Sequence, residues 1–183
     1  MAQPPILYDF QLALSDTDRA LSEERRFKLA RHPSETMERV WLRLLAYCWK
    51  FEDRLAFGPG LSDTEAPDLL TTDLTGLTTR WIRVGKAEPA KIQRAVDQHP
   101  HAQVSVLFES PLRLDQFLAE AHAASYPRLA RAELAAIDAN LLAQLARSEE
   151  RRNKLTVTLV GEQLYIDLDG ETLEGFLHCG RIA

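Results

Sequence analysis

The sequence has little cysteine and no long apolar segment. Only two of its 183 residues are cysteines, Cys48 and Cys179, and they lie far apart in the chain. Cys48 falls in a helical apolar pattern, so we expect a small core residue there and not a disulfide or metal ligand. No apolar run approaches the roughly 20 residues of a membrane-spanning helix, and residues 1–14 lack the basic and apolar regions of a signal peptide. With so little cysteine, these absences predict a cytoplasmic protein that does not span a membrane.

Several motifs of catalysis and binding are missing as well. The chain has no nucleophile elbow around a serine or cysteine and no glycine-rich phosphate loop. His99 and His101 are close in sequence, but they lack cysteine or further histidine partners and predict no zinc site. The formal net charge of −5 disfavours broad, non-specific binding of nucleic acid but leaves a local basic patch open. We interpret Arg151, Arg152 and Lys154 as a solvated helix end.

The rest of the composition is that of an ordinary globular protein. Hydrophobic residues make up 45% of the chain and charged residues 27%, both close to the usual values. The length suits one domain, which we expect to cover residues 1–183, and it allows a sizeable core without cross-links.

The apolar patterns predict strands and helices that alternate along the chain. Residues 6–14 alternate as a strand with one buried face, and residues 24–30 can pair with it in a hairpin. A helix begins at Pro33 and Ser34 and ends near Phe51 or Arg54. The later elements are a hairpin (69–73 and 77–84, with a turn at Thr75-Gly76), a helix (89–96), a loop (97–101), a buried strand (103–108), a helix (112–124), a strand (132–138), a helix (139–152) and three strands (154–160, 163–169 and 172–178). This order predicts the α/β (α+β) class: a mixed sheet flanked by helices, with an N-terminal hairpin and a C-terminal antiparallel meander.

Glu38 is the most informative residue in the first helix. At 100° per residue it falls on the face of Trp41, Leu45 and Trp49, where an unpaired carboxylate would be costly to bury. Its role is either a structural salt bridge or a functional acid. Glu35, in contrast, can pair with Arg39 one turn later and face the positive helix start, so we assign it a structural role.

Further acids accompany the predicted hairpin. Glu65, Asp68 and Asp73 lie before or within it, and alternate residues of a strand project to one face. With Glu38, they form a candidate oxygen-ligand set for a hard cation such as Mg²⁺ or Mn²⁺, which can activate water and stabilise a phosphoryl transition state.

A family resemblance is carried by residues 8–14, 30–39, 42–47, 55–63, 67–70, 73–76 and 81–85. In these segments the chain resembles the YaeQ family of small bacterial proteins. The resemblance is specific over about the first half of the chain and weak beyond Ile92. The resemblance implies a variant of the PD-(D/E)xK nuclease fold, with a restriction-endonuclease-like core.

In that fold a helix acid, a hairpin Asp and an acid plus a Lys on the next strand bind metal and activate water. By resemblance, Glu38 matches the helix acid and Asp68 the hairpin Asp. Arg83, however, stands where the strand acid is expected, and a guanidinium cannot bind a cation. Lys86 is the candidate lysine, although it lies three residues after Arg83 instead of two, so it projects to the other face unless Gly85 bends the strand.

We therefore predict that Arg83 replaces the metal by pairing with Glu38 or Asp68, in a nuclease-like fold with a degraded or rearranged site. The predicted function is a divalent-metal-dependent phosphodiesterase acting on nucleic acid, with activity reduced or lost. The alternative is a non-catalytic module that binds nucleic acid or a protein partner, in a regulatory or structural role.

Overall fold

The computed structural model describes residues 3–182, leaving aside the side chain of Ser62. Residues 1, 2 and 183 of the predicted domain lie outside this part. The described residues form ten strands: β1 (Ile6–Asp16), β2 (Leu21–Arg31), β3 (Ala56–Phe57), β4 (Leu69–Thr72), β5 (Thr78–Val84), β6 (Gln103–Phe108), β7 (Glu133–Ile137), β8 (Arg152–Val160), β9 (Gln163–Leu168) and β10 (Glu171–Gly180). They also form four α-helices: α1 (Met37–Trp49), α2 (Pro89–Gln98), α3 (Pro111–Ala124) and α4 (Ala139–Ala146). No helix within residues 3–182 has the length and apolarity needed to cross a membrane.

All ten strands join one mixed sheet in the order β2-β1-β8-β9-β10-β7-β6-β5-β4-β3. Strands β1 and β2 form an antiparallel hairpin, and β8, β9 and β10 form an antiparallel meander. Strands β5, β6 and β7 run parallel to one another, whereas β3 and β4 extend that half of the sheet as antiparallel strands. The predicted mixed sheet, N-terminal hairpin and C-terminal meander are confirmed.

Helices cover both faces of the half of the sheet that contains β5 and β6. Along β5, Ile82 and Val84 belong to the core beneath α1 and α4, whereas Trp81 belongs to the core beneath α2 and α3. Strand β6 alternates in the same way and is buried from Val104 to Phe108, which is typical of a parallel strand with a helix on each side. As a result, the end of β5 lies between α1 and α2.

The last helix is shorter than its sequence pattern predicts. Helix α4 ends at Ala146 instead of continuing to Arg152, because the following polar residues offer no apolar side chain to bury. Arg152 begins β8 and pairs with Asp9 of β1. The basic cluster is therefore not a helix end: Arg152 and Lys154 are exposed residues of a strand.

Candidate functional site

The burial of the two glutamates near the start of α1 is the reverse of what helical periodicity predicts. The helix begins at Met37, one residue after Thr36, whose hydroxyl accepts a hydrogen bond from the backbone N–H of Arg39. Glu38 is exposed, whereas the side chain of Glu35 is only 1% exposed. The expectation that Glu38 lies in the buried face is wrong.

The prediction for Glu38 fails because the burial of residues in α1 depends on how deep each turn lies in the protein. From Val40 to Cys48 every residue of the helix is buried, so the interior surrounds the helix and does not meet a single stripe. Angular position therefore says little about burial here. In the first turn, by contrast, Glu38 is exposed although Met37 and Val40 on either side of it are buried.

Glu35 lies beneath the start of α1 and is held by two arginines of that helix. Its Oε2 atom lies 2.9 Å from Nη2 of Arg43 and accepts a hydrogen bond from the backbone N–H of His32 at 3.2 Å. Its Oε1 atom lies 3.6 Å from Nη1 of Arg39. The buried guanidinium of Arg43 also donates to the carbonyl oxygen of Ala30. Burial lowers the pKa of Arg43, but an arginine stays charged in proteins.

Asp68 lies immediately before β4 and connects α1 to β5. Its side chain is 1% exposed, and its Oδ1 atom accepts a hydrogen bond from Nη2 of Arg39 at 2.6 Å. The Oδ2 atom accepts a hydrogen bond from the backbone N–H of Val84 at 2.9 Å and lies 3.9 Å from Nε of Arg83. Of the two acids proposed as partners of Arg83, the structure places Asp68 beside it.

These five side chains form what we call the arginine–acid cluster. Its members are Arg39, Arg43, Arg83, Glu35 and Asp68. Three positive charges face two negative charges, so the cluster carries one excess positive charge. Arg39 is shared between the two acids and therefore joins the first turn of α1 to the start of β4.

The cluster does not fit a divalent cation. Such an ion needs several oxygen ligands at about 2.0–2.6 Å, but Asp68 and Glu35 already accept bonds from guanidinium and backbone N–H groups. Within residues 3–182, no three carboxylate, histidine or cysteine side chains come together in a group that could hold a metal.

The other acids of the predicted metal set lie apart from the cluster. Asp73 is five residues beyond Asp68, across β4, a distance of roughly 16 Å along an extended chain. Its Oδ1 atom accepts hydrogen bonds from the hydroxyl and backbone N–H of Thr75 and from the backbone N–H of Leu77, closing the hairpin turn. Glu65 is exposed on the loop before Asp68. The structure therefore does not bring Asp73 to Asp68, and within residues 3–182 Glu38 and Asp68 belong to no group of three potential metal ligands.

Arg83 and Lys86 line one side of a cavity of about 340 Å³, which we call the arginine cleft. It lies between the end of β5, helix α2 and the loop formed by residues 60–65. Gly85 has a φ of +75°, a conformation that favours glycine, and it turns the chain so that Lys86 lines the cleft with Arg83. The charged residues that line the cleft are Arg39, Arg83, Lys86, Lys91 and Arg94, with Asp63, Glu65 and Glu88.

Two rim cations of the cleft lie near acids, whereas Lys86 does not. Arg94 lies 3.7 Å from Glu65, and Lys91 lies 4.0 Å from Glu88. Lys86 is exposed and makes no ion pair with any residue in the described range 3–182. Arg83 donates to the carbonyl oxygen of Thr64, which anchors the loop to β5.

Sequence reasoning missed Glu35 and Arg43 as members of the site. The signal was present, because Glu35, Arg39 and Arg43 recur every four residues along one helix face. A row of charges at this spacing is usually solvated. The predicted pairing of Glu35 with Arg39 is present at 3.6 Å, but the burial of Glu35 and its contact with Arg43 were not predicted. The row is instead covered by β2 and by the loop after β3, whose residues Ala30 and Gly58 line the cavity beside Glu35 and Arg43.

Comparison with known proteins agrees with the resemblance in the sequence. The sequence model described as YaeQ protein matches residues 1–175. The YaeQ protein of Salmonella typhi, described as uncharacterized, is 31% identical over 175 residues, covering 95% of this chain and 94% of that protein. The YaeQ protein of Escherichia coli, with the same description, is 29% identical over the same length and coverage.

Two solved structures share the fold over nearly the whole chain. The crystal structure of YaeQ protein from Xanthomonas axonopodis pv. citri has a TM-score of 0.87 and 25% identity, covering 98% of this chain and 99% of that one. The crystal structure of YaeQ protein from Pseudomonas syringae has a TM-score of 0.85 and 30% identity, covering 100% of both chains.

Proposed function

This chain belongs to the YaeQ family, and we propose that it binds nucleic acid through the arginine cleft without hydrolysing it. The observation that carries the proposal is the pairing of Asp68 with Arg39 and Arg83. In the nuclease-like fold that the resemblance implies, this Asp and the strand residue beside it would hold a metal ion. In this chain guanidinium groups occupy the surroundings of the Asp.

Metal-dependent hydrolysis is disfavoured because a cation would meet like charges. Two unit charges 4 Å apart repel by about 4 kcal/mol at an effective dielectric constant of about 20, and a divalent ion doubles this value. Arg39 and Arg83 would both repel a cation bound to Asp68. Releasing them from Asp68 would deprive two largely buried guanidinium groups of this acid and leave Arg39 with Glu35 alone. The chain therefore lacks the charge arrangement that metal catalysis of phosphodiester cleavage needs.

Binding of phosphate is favoured by the same groups. A guanidinium presents N–H donors in a planar fork that matches phosphate oxygens, and an ammonium group adds a compact charge. Arg83 and Lys86 offer one of each at the same end of β5. The choice of nucleic acid as the phosphate-bearing ligand rests on the likeness to nucleases.

A binding assay with the full chain tests this function. Fluorescent single-stranded DNA, duplex DNA and RNA are titrated with protein in low salt, with EDTA in one series and Mg²⁺ or Mn²⁺ in another. We expect salt-sensitive binding that EDTA does not change, and intact oligonucleotides after incubation. Lys86→Gln should weaken binding, whereas Lys154→Gln, an exposed lysine on β8, should not.

Two results would contradict the proposal. Cleavage in Mn²⁺ that is abolished by Asp68→Asn, in a variant that stays folded, would show a metal-dependent nuclease. Absence of binding to all three nucleic acids would leave the protein-binding alternative.

A further inference from the structure

The arginine cleft is small and has a charged floor. Its floor is the end of β5, where Trp81, Arg83 and Val84 line it, and Arg39 of α1 lies beside them. Its volume of about 340 Å³ lies near the lower end of the roughly 300–1,000 Å³ of small-molecule pockets. A cavity of this size suits one nucleotide end better than a strand that enters on one side and leaves on the other.

The charge of the floor matches a phosphate with two negative charges. Arg39 and Arg83 of the floor carry two positive charges against the one negative charge of Asp68 beside them, which leaves one positive charge, and Lys86 adds a second. A phosphate monoester carries about −1.5 to −2 charges at pH 7 and has three acceptor oxygens. An internal phosphodiester carries a single negative charge and would leave the floor under-neutralised.

The rim of the cleft carries one excess negative charge, because its three acids lie with two cations, Lys91 and Arg94. Asp63, Glu65 and Glu88 are exposed around its opening. In a continuous strand the phosphates follow one another about every 3.4 Å along the axis, so the phosphates on both sides of a bound one would pass these acids. A terminal phosphate has a neighbour on one side only and meets less repulsion.

We infer that the arginine cleft recognises the terminal phosphate monoester of a nucleic acid, at a 5′ or 3′ end, in preference to internal phosphodiesters. This inference rests on the proposed function, because it names which phosphate of the nucleic acid enters the cleft. Arg83 and Lys86 bind the terminal oxygens, and Arg39 adds positive charge at the floor while it stays bonded to Asp68.

Oligonucleotides that differ only at their ends test the inference. Three 12-residue DNA strands of one sequence carry the same internal fluorophore, one with a 5′ phosphate, one with a 3′ phosphate and one with hydroxyls at both ends. Fluorescence anisotropy with the full chain in EDTA gives the three dissociation constants. We expect one phosphorylated strand to bind about 10-fold more tightly than the hydroxyl-ended strand, because it gains charge-assisted hydrogen bonds.

Variants show whether the preference arises in the cleft. Lys86→Gln removes an exposed side chain that makes no ion pair with described residues, so it should leave the fold intact and reduce the preference. Arg83→Gln should reduce it further, and its melting temperature reports any loss of the bond to Thr64. Lys154→Gln on β8 is the matched lysine control and should keep the full preference.

The outcomes separate this inference from the function beneath it. Equal binding of all three strands, still weakened by Lys86→Gln, would overturn the recognition of ends and keep nucleic-acid binding. No binding of any strand would overturn both. An end preference that is lost equally in Lys154→Gln would place the phosphate outside the cleft and overturn the inference.

Discussion

Replacing each of the two glutamates at the start of α1 by glutamine should have very different effects on stability. Glu35→Gln removes a charge from a side chain that is 1% exposed and lies 2.9 Å from Arg43, itself only 4% exposed. Removing one partner of a buried ion pair costs about 3–5 kcal/mol, because the remaining charge stays buried. Glutamine keeps an acceptor oxygen for the N–H of His32, so we expect the lower end, about 3 kcal/mol.

Glu38→Gln is the matched control, because Glu38 lies three residues after Glu35, in the first turn of α1. Glu38 is exposed and should change the free energy of unfolding by no more than about 0.5 kcal/mol. Urea unfolding followed by tryptophan fluorescence measures both variants, because Trp41 in α1 and Trp81 in β5 are buried reporters. A loss in Glu38→Gln equal to or larger than that in Glu35→Gln would refute the burial and the pairing described above.

Three further predictions concern the hairpin turn, the thiols and the loop over the cluster. The hydrogen bond from the Thr75 hydroxyl holds the pKa of Asp73 below its usual 3.8. The ionised Asp73 therefore contributes fully to the free energy of unfolding above pH 3.8. This contribution is lost as the pH falls through the lower pKa of the folded state. A side-chain NMR titration with a midpoint at or above 3.8 would contradict this. Desolvation raises the pKa of both thiols, but Cys48 is fully enclosed whereas Cys179 is exposed to solvent. A thiol reagent at pH 8 should therefore modify one thiol in the native protein and two after unfolding. In Gly58→Ala the new Cβ would lie 2.2 Å from the backbone carbonyl oxygen of Pro67. This clash should lower the free energy of unfolding by roughly 1–3 kcal/mol. An unchanged melting temperature would contradict the contact.

Much of the fold can be predicted from the sequence, because the spacing of apolar residues matches the observed burial in several strands. Residues 6–14 alternate and form most of β1, and the mainly apolar segment 103–108 forms β6 between two helix layers. Helix α4 shows where the pattern fails. Polar residues after Ala146 remain compatible with a helix, and only the parallel pairing of β8 with β1 determines where the strand begins.

The ion pairing of Arg83 could be predicted from the sequence, whereas the full set of residues in the arginine–acid cluster could not. Arg83 in place of an acid already implied an internal ion pair, and the structure places it beside Asp68. Periodicity gives the angle of a side chain around a helix but not its depth in the protein. It therefore placed Glu38 on the buried face, although Glu35 is the buried glutamate. The depth is set by how β2 and the loop after β3 pack over Glu35 and Arg43, which the periodicity of α1 does not encode.

The central claim is that arginines pair with Asp68 at the position where a metal ion would bind. Calorimetric titration of Mn²⁺ into the full chain tests this claim most directly. The pairing of both Asp68 oxygens with N–H groups predicts no micromolar binding in the wild-type protein. A micromolar Mn²⁺ site that disappears in a folded Asp68→Asn variant, and persists in Glu38→Gln, would contradict that claim.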